Sequence, residues 1–188
     1  MRKSFPLTIA LLLGLALLLT ACDPMPAPLQ SPSPTQSAAP EGDNSGTGFL
    51  NDTMSSVFFD FTVTDAFSCE SYEGYTAPEN WKLVVATITV KNTYTMTIPM
   101  GAYDFQIQWG EGDEDYDYPL SAYCEAQLPD EYELLISESR TGILVYEVPA
   151  DTKDYSISYL EVYDDDETGD CYFVYFSAPF DKTAGGTL

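Results

Sequence analysis

Between residues 57 and 177 apolar side chains recur at alternate positions, and this period-two pattern constrains the fold more than any other feature of the chain. In VFFDFTVTDAF, Val57, Phe59, Phe61 and Val63 share one face, and in WKLVVATITVKN so do Val84, Ala86, Ile88 and Val90. In AYDFQIQW, Tyr103, Phe105, Ile107 and Trp109 alternate with Ala102, Asp104, Gln106 and Gln108. A strand turns successive side chains to opposite faces, so this spacing buries one side of a sheet and leaves the other wet. GILVYEVP, YSISYLEVY and CYFVYF continue the series with β-branched and aromatic residues. Glycine, proline and acidic clusters separate the runs, and no window carries a helical period. The pattern predicts an all-β fold, an antiparallel β-sandwich of about seven strands. Within it, YSISYLEVYDDDETGDCYFVYF reads as a hairpin with an acidic tip at residues 164–170.

The N-terminal stretch has a different logic. Arg2 and Lys3 precede a mostly apolar run from Phe5 to Leu19, interrupted by Pro6 and Gly14. A membrane-spanning helix needs about 20 apolar residues, so this run is too short. A charged start, a short apolar region and small residues before a cut describe a secretory signal. Leu19-Thr20-Ala21-Cys22 is similar to the lipobox of bacterial lipoproteins. In that family the cysteine thiol takes a diacylglyceryl group and becomes the new N-terminus; an ordinary signal with an incidental cysteine is the plainer alternative. Each buried methylene contributes about 0.8 kcal/mol, so a multiply acylated Cys22 would hold the protein to the membrane without spanning it. From Asp23 to about Ser45 the chain is rich in proline, serine, alanine and glutamine, with too little apolar surface to offset its ordering entropy. The expected organisation is a signal peptide at 1–21, a lipidated cysteine and linker at 22–46, and one folded domain at 47–188.

All 30 acidic residues follow the cleavage point, whereas two of the seven basic ones precede it, leaving a mature charge of −25. Such a chain repels phosphate backbones and anionic headgroups, which argues against nucleic-acid binding. With no histidine, the usual near-neutral acid–base group is missing.

The segments VVATITVKNTYTMTIPMGAYDFQIQWG and YPLSAYCEAQLPDEYELLISESRTGILVYEVPADTKDYSISY carry a resemblance over about residues 56 to 177. A strand ending VKNT, a strand start IPMGAYDF, a later ES-x-TG-x-LVYEVP strand and then KDYSISY follow in order. This arrangement resembles small secreted or lipid-anchored bacterial proteins carrying the telokin-like, "immunoprotective extracellular" immunoglobulin-like domain of unknown function. The resemblance implies an immunoglobulin-like β-sandwich, agreeing with the alternation. It also implies the outer face of a cell membrane, of the Gram-positive type, and it brings no catalytic residues with it.

Four kinds of residue are candidates for chemistry. Beyond Cys22 there are three cysteines, Cys69, Cys124 and Cys171, so one internal disulfide leaves one thiol over. Three pairings are open; Cys69 with Cys171 is favoured because first and last strands are often neighbours in sandwiches. A catalytic thiol would need an activating base, and there is no histidine to serve. Calcium is the one cofactor the sequence suggests. Asp164, Asp166, Thr168 and Asp170 offer spaced oxygens around Gly169, and Asp113, Asp115 and Asp117 a weaker set. Neither run ends in the closing bidentate glutamate, and a solvated hairpin tip is the plainer reading. Tyr72, Tyr75, Tyr116 and Tyr118 lie beside carboxylates and would form a platform for a glycan or protein partner, with ordinary cross-strand packing as the alternative. Carboxylates are abundant, but nothing singles out a pair set across a cleft, and no phosphate-binding glycine loop, zinc spacing or serine elbow occurs. The expectation is therefore a non-enzymatic, membrane-anchored binding module, with a calcium-stabilised adhesin or carbohydrate-binding module as the alternative.

Overall fold

The computed structural model describes residues 46–163 and 167–184. The alternation becomes two sheets facing each other. One runs in the order β11 (Ser139–Pro149), β6 (Trp81–Asn92), β3 (Phe59–Cys69), β2 (Thr53–Ser55). The other runs β1 (Thr47–Phe49), β13 (Thr168–Ser177), β12 (Asp154–Val162), β8 (Gln106–Gln108), β9 (Tyr116–Asp117). Two short ribbons complete the described strands: β4 (Ser71–Tyr72) with β5 (Tyr75–Thr76), and β7 (Ile98–Met100) with β10 (Tyr132–Leu134). The β-sandwich expectation holds, and β12 with β13 form the predicted hairpin. The antiparallel rule has one exception among these strand pairs: β1 lies parallel to β13.

The core is aromatic. Phe59 and Phe61 of β3 meet Phe105, Tyr159 and Tyr172 from the opposite side, with Phe59 and Tyr159 centroids 4.6 Å apart. Val84, Ala86, Ile88 and Val90 are completely buried beside them, as the period predicts. Each such aromatic ring buries about 150–250 Å². At about 25 cal/mol per Å², that is roughly 4–6 kcal/mol per ring before entropy is counted. Tyr146 ties the layers together by donating its hydroxyl to the Phe105 carbonyl at 3.2 Å.

Two local breaks depart from simple alternation. Tyr103 was expected to face inward with Phe105; instead Ala102–Asp104 form one turn of 3-10 helix. Asp104 closes that turn by accepting the Gly101 N–H at 2.7 Å, which buries Ala102 and leaves Tyr103 exposed. Val57 likewise falls outside β3 and is exposed, because the strand begins only at Phe59.

The second break is a bulge in β3, where the pairing with β6 shifts between Val63 and Asp65. A bulge inserts one unpaired residue and so reverses which face the following side chains take. After it, Ala66 and Ser68 point inward, while Phe67 and Cys69 turn outward against Val85 and Leu83. The four-stranded sheet therefore has apolar groups on both faces. Its outer one is roofed by Leu120 and Tyr123 from the segment after β9, and by Tyr72 and Tyr75 of the β4–β5 ribbon.

Candidate functional site

This reversal of faces decides the cysteines. Cys69 is buried on the outer side of the four-stranded sheet. Cys171 pairs with Leu160 on β12, one position out of phase with the inward-facing Tyr159–Tyr172 pair, so it points out of the five-stranded sheet. The expected Cys69–Cys171 disulfide is not formed: all three thiols of the described domain are free. Packed sheets lie about 10 Å apart. A disulfide needs its Cα atoms within about 7 Å and its Cβ vectors facing, whereas these two face away from each other through the whole sandwich. Burial, with the Asp181 carboxylate nearby, pushes the Cys69 thiol up to about 11, so it is a poor nucleophile.

The acidic runs are used locally. Asp164 and Asp166 lie outside the described residues. Thr168 opens β13, and the Asp170 backbone N–H is bound by Glu161 at 3.2 Å. In the first run Asp115 accepts the Gly112 N–H at 2.9 Å and Asp117 accepts the Tyr118 N–H at 2.7 Å, which are turn-forming contacts. Among the described residues no group of three or more Cys, Asp or Glu is arranged to hold a metal.

The four tyrosines singled out from the sequence divide between opposite faces. Tyr72 and Tyr75 belong to the roof over Cys69. Tyr75 stacks on Tyr123 at 5.3 Å and donates to Glu147 Oε1 at 2.7 Å, while Tyr123 donates to the Tyr72 carbonyl at 3.2 Å. Burial, the largest cause, and the nearby Cys124 and Cys69 push the Tyr123 hydroxyl well up. For these two the plainer packing reading applies.

Tyr116 and Tyr118 stand instead at the edge of the five-stranded sheet, whose outer face is open. Register places Phe49, Tyr175, Ser156, Gln108 and Tyr116 in one row across all five strands. The adjacent row is Thr47, Phe173, Ser158 and Gln106, and Gln106 extends it by donating its amide to the Tyr118 hydroxyl at 2.7 Å. Phe173 and Tyr175 stack at 6.3 Å on one side, and Tyr116 and Tyr118 meet edge-on at 6.2 Å on the other. Phe49, Tyr116, Tyr118 and Tyr175 are all exposed, at 68%, 43%, 43% and 44%. Ser156 and Ser158 form the buried floor between the two aromatic margins. A trough of about 590 Å³ runs over the first row from Phe49 to Gln108, stopping short of Tyr116, and is bounded at one end by Trp109, Glu111 and Asp154. Phe173 and Tyr175 escape notice in the sequence because every position of CYFVYF is apolar or aromatic, and only the inward phase of Tyr172, Val174 and Phe176 turns them outward; Phe49 lies before the first strand read from the alternation.

A second groove, about 670 Å³, opens at the other end of β12, between Phe58, Tyr94 and Met96 on one side and Leu160, Val162 and Tyr163 on the other. Asp104 borders it, its carboxyl pushed upward by burial. This groove mixes apolar side chains with Thr97, Asp104 and three tyrosines, and lacks the ordered amide and hydroxyl rows of the sheet face.

Comparison with known proteins bears on the fold. The ycdA protein of Bacillus subtilis subsp. subtilis, named as a candidate lipoprotein, superposes with a TM-score of 0.53 at 14% identity over 67% of this chain. The chain spans only 38% of that protein's length. The yjhA protein of Bacillus subtilis gives a TM-score of 0.52 at 17% identity, covering 71% of this chain and 99% of its own. No curated protein matches the chain. Among family models, the domain of unknown function DUF4352 matches residues 49–168, most of the stretch carrying the resemblance seen in the sequence, and the chain belongs to that family.

Proposed function

We propose that this protein is a lipid-anchored, extracytoplasmic binding module, fixed to the membrane through Cys22 and engaging a partner without catalysis. The observation that carries the binding half is the outer face of the five-stranded sheet, where side chains from five strands make two registered rows of rings, amides and hydroxyls. Exposed aromatic groups rimmed by polar ones mark recognition surfaces, since the rings supply contact area at small entropic cost and the amides supply direction. The lipobox-like Leu19-Thr20-Ala21-Cys22 supports the anchor. No described helix is long and apolar enough to cross a membrane.

The test has two parts. Full-length protein expressed in a bacterium should partition with membranes and incorporate labelled palmitate, and Cys22→Ser should release it. The mature Cys22→Ser chain, labelled with a fluorophore, should bind isolated cell envelopes of the producing bacterium saturably. Protein that never labels with palmitate overturns the anchor, and envelopes that take up no labelled protein overturn the binding module.

A further inference from the structure

From the chemistry of the two rows we infer a ligand class: the outer face of the five-stranded sheet receives an uncharged, β-1,4-linked pyranose chain lying across the strands from Phe49 to Tyr116. This rests on the binding-module reading above and specifies what that module binds.

Charge is the first argument. The chain carries 30 acidic residues, yet the rows from Phe49 to Tyr116 and from Thr47 to Gln106 contain no charged side chain. Uncharged rows on an acidic protein fit a ligand without charge, because the protein's field repels anionic polymers and the rows hold no carboxylate to pair with a cation. Two carboxylates, Glu111 and Asp154, border the end of the trough and lie outside the rows; that of Asp154 accepts the Ser177 hydroxyl at 2.6 Å.

Geometry is the second. Neighbouring strands are about 4.8 Å apart, so the row from β1 to β9 is roughly 19 Å long, enough for several pyranose rings end to end. Rings at both margins suit the C–H faces of sugars, which stack on aromatic surfaces. Between them, Gln108 and Ser156 present an amide and a hydroxyl at the level of the sheet, with the Ser156 hydroxyl 3.5 Å from Gln108 Oε1. Equatorial hydroxyls along the edges of a β-1,4 chain both donate and accept, matching groups that also do both. A second protein would be expected to insert apolar anchors into a pocket, and the floor here is serine.

The probes are cellohexaose and the hexamer of N-acetylglucosamine, both uncharged, with a β-1,4-linked hexaglucuronate as the anionic counterpart. Titrated by calorimetry into the mature Cys22→Ser chain, at least one neutral hexamer should bind saturably and hexaglucuronate should not. Tyr175→Ala and Tyr116→Ala should each weaken binding at least tenfold, and Tyr75→Ala on the opposite face should leave it within twofold. Circular dichroism melts identify a variant that fails to fold, in which case Gln108→Ala, at the centre of the row, supplies the same comparison. Neutral hexamers that give no heat overturn the inference, as does a Tyr75→Ala loss equal to that of Tyr175→Ala. Envelope binding by the same variants separates the two readings. If Tyr175→Ala abolishes envelope binding while both hexamers fail, the face binds a partner of another class and only the glycan assignment falls. If the unmutated chain binds no envelope, the module itself falls.

Discussion

Replacing Glu161 by glutamine should lower the free energy of unfolding by about 1–3 kcal/mol, although glutamine has the same shape. Glu161 is buried at an irregularity in β12, where the pairing with β13 shifts between Leu160 and Val162. Its Oε1 accepts the Val57 N–H at 2.8 Å and the Tyr172 hydroxyl at 3.3 Å; its Oε2 accepts the Asp170 N–H and the Tyr163 hydroxyl, each at 3.2 Å. The carboxylate thus pins the entry of β3 to the β12–β13 hairpin, and a Cβ at Gly169 would come within 2.5 Å of Oε2. Turning one oxygen into an NH₂ group confronts two donors with a third. A tyrosine hydroxyl rotates to accept instead, but a backbone N–H has no such option and is left without a partner, which costs about 1–3 kcal/mol. Glu161→Ala leaves both backbone N–H groups unmatched, roughly doubling that, out of a typical total of about 5–15 kcal/mol. Urea unfolding followed by the fluorescence of Trp81 and Trp109 measures it. With a urea slope of about 1–3 kcal/mol per molar, a 2 kcal/mol loss moves the midpoint by roughly 1 M. The exposed Glu125→Gln control should stay within about 0.5 kcal/mol. If Glu161→Gln also stays within that margin, the carboxylate does not pin the strands and the reasoning fails.

Other consequences follow from the same structure. Mild disulfide-exchange oxidation should join Cys69 only to Cys124, because both lie at the Tyr72–Tyr123 roof while Cys171 faces out of the opposite sheet; non-reducing peptide mapping that finds an intramolecular Cys171 bridge would contradict this. Tyr132→Phe should leave stability unchanged or raise it by up to about 1 kcal/mol, since the Tyr132 hydroxyl is buried with no hydrogen-bond partner and only its ring meets Arg140, at 4.5 Å. A thermal melt lowered by several degrees would refute it. Gly101→Ala should destabilise by more than about 2 kcal/mol, because its Cβ would lie 2.4 Å from the Asp130 carbonyl oxygen; wild-type urea behaviour would show that the loop yields. Burial raises the hydroxyls of Tyr132 and Tyr172 to about 12. Unfolded tyrosines ionise near 10, so above that pH the unfolded chain holds fewer protons and stability should fall between about pH 10 and 12. A urea midpoint that stays constant across that range would count against the burial.

What the sequence conveys, and what it withholds, follows from the range over which each feature is determined. Val84, Ala86, Ile88 and Val90 declare their face because β6 is paired on both sides without interruption, so local alternation and global packing agree. The β12–β13 hairpin is equally legible, since its two strands are adjacent in the chain. The face of Cys69 is not, because it depends on a register shift whose residues carry no mark of it. Unbroken alternation from Phe59 would send Cys69 into the core; one extra residue near Thr64 sends it outward, and the favoured disulfide is lost with it. The candidate site is half legible for the same reason. Tyr116 and Tyr118 stand out beside acidic residues, whereas Phe173 and Tyr175 look like core until their pairing partners are known. That concealment follows from building a surface out of cross-strand rows. The row from Phe49 to Tyr116 draws one residue from each of five strands, at positions 49, 108, 116, 156 and 175 along β1, β8, β9, β12 and β13, so no local window contains it and only the register assembles it. A flat aromatic and amide face of this kind is defined by the sheet order itself, which is why a shift of one residue in β13 would erase it by turning Val174 outward and Tyr175 into the core.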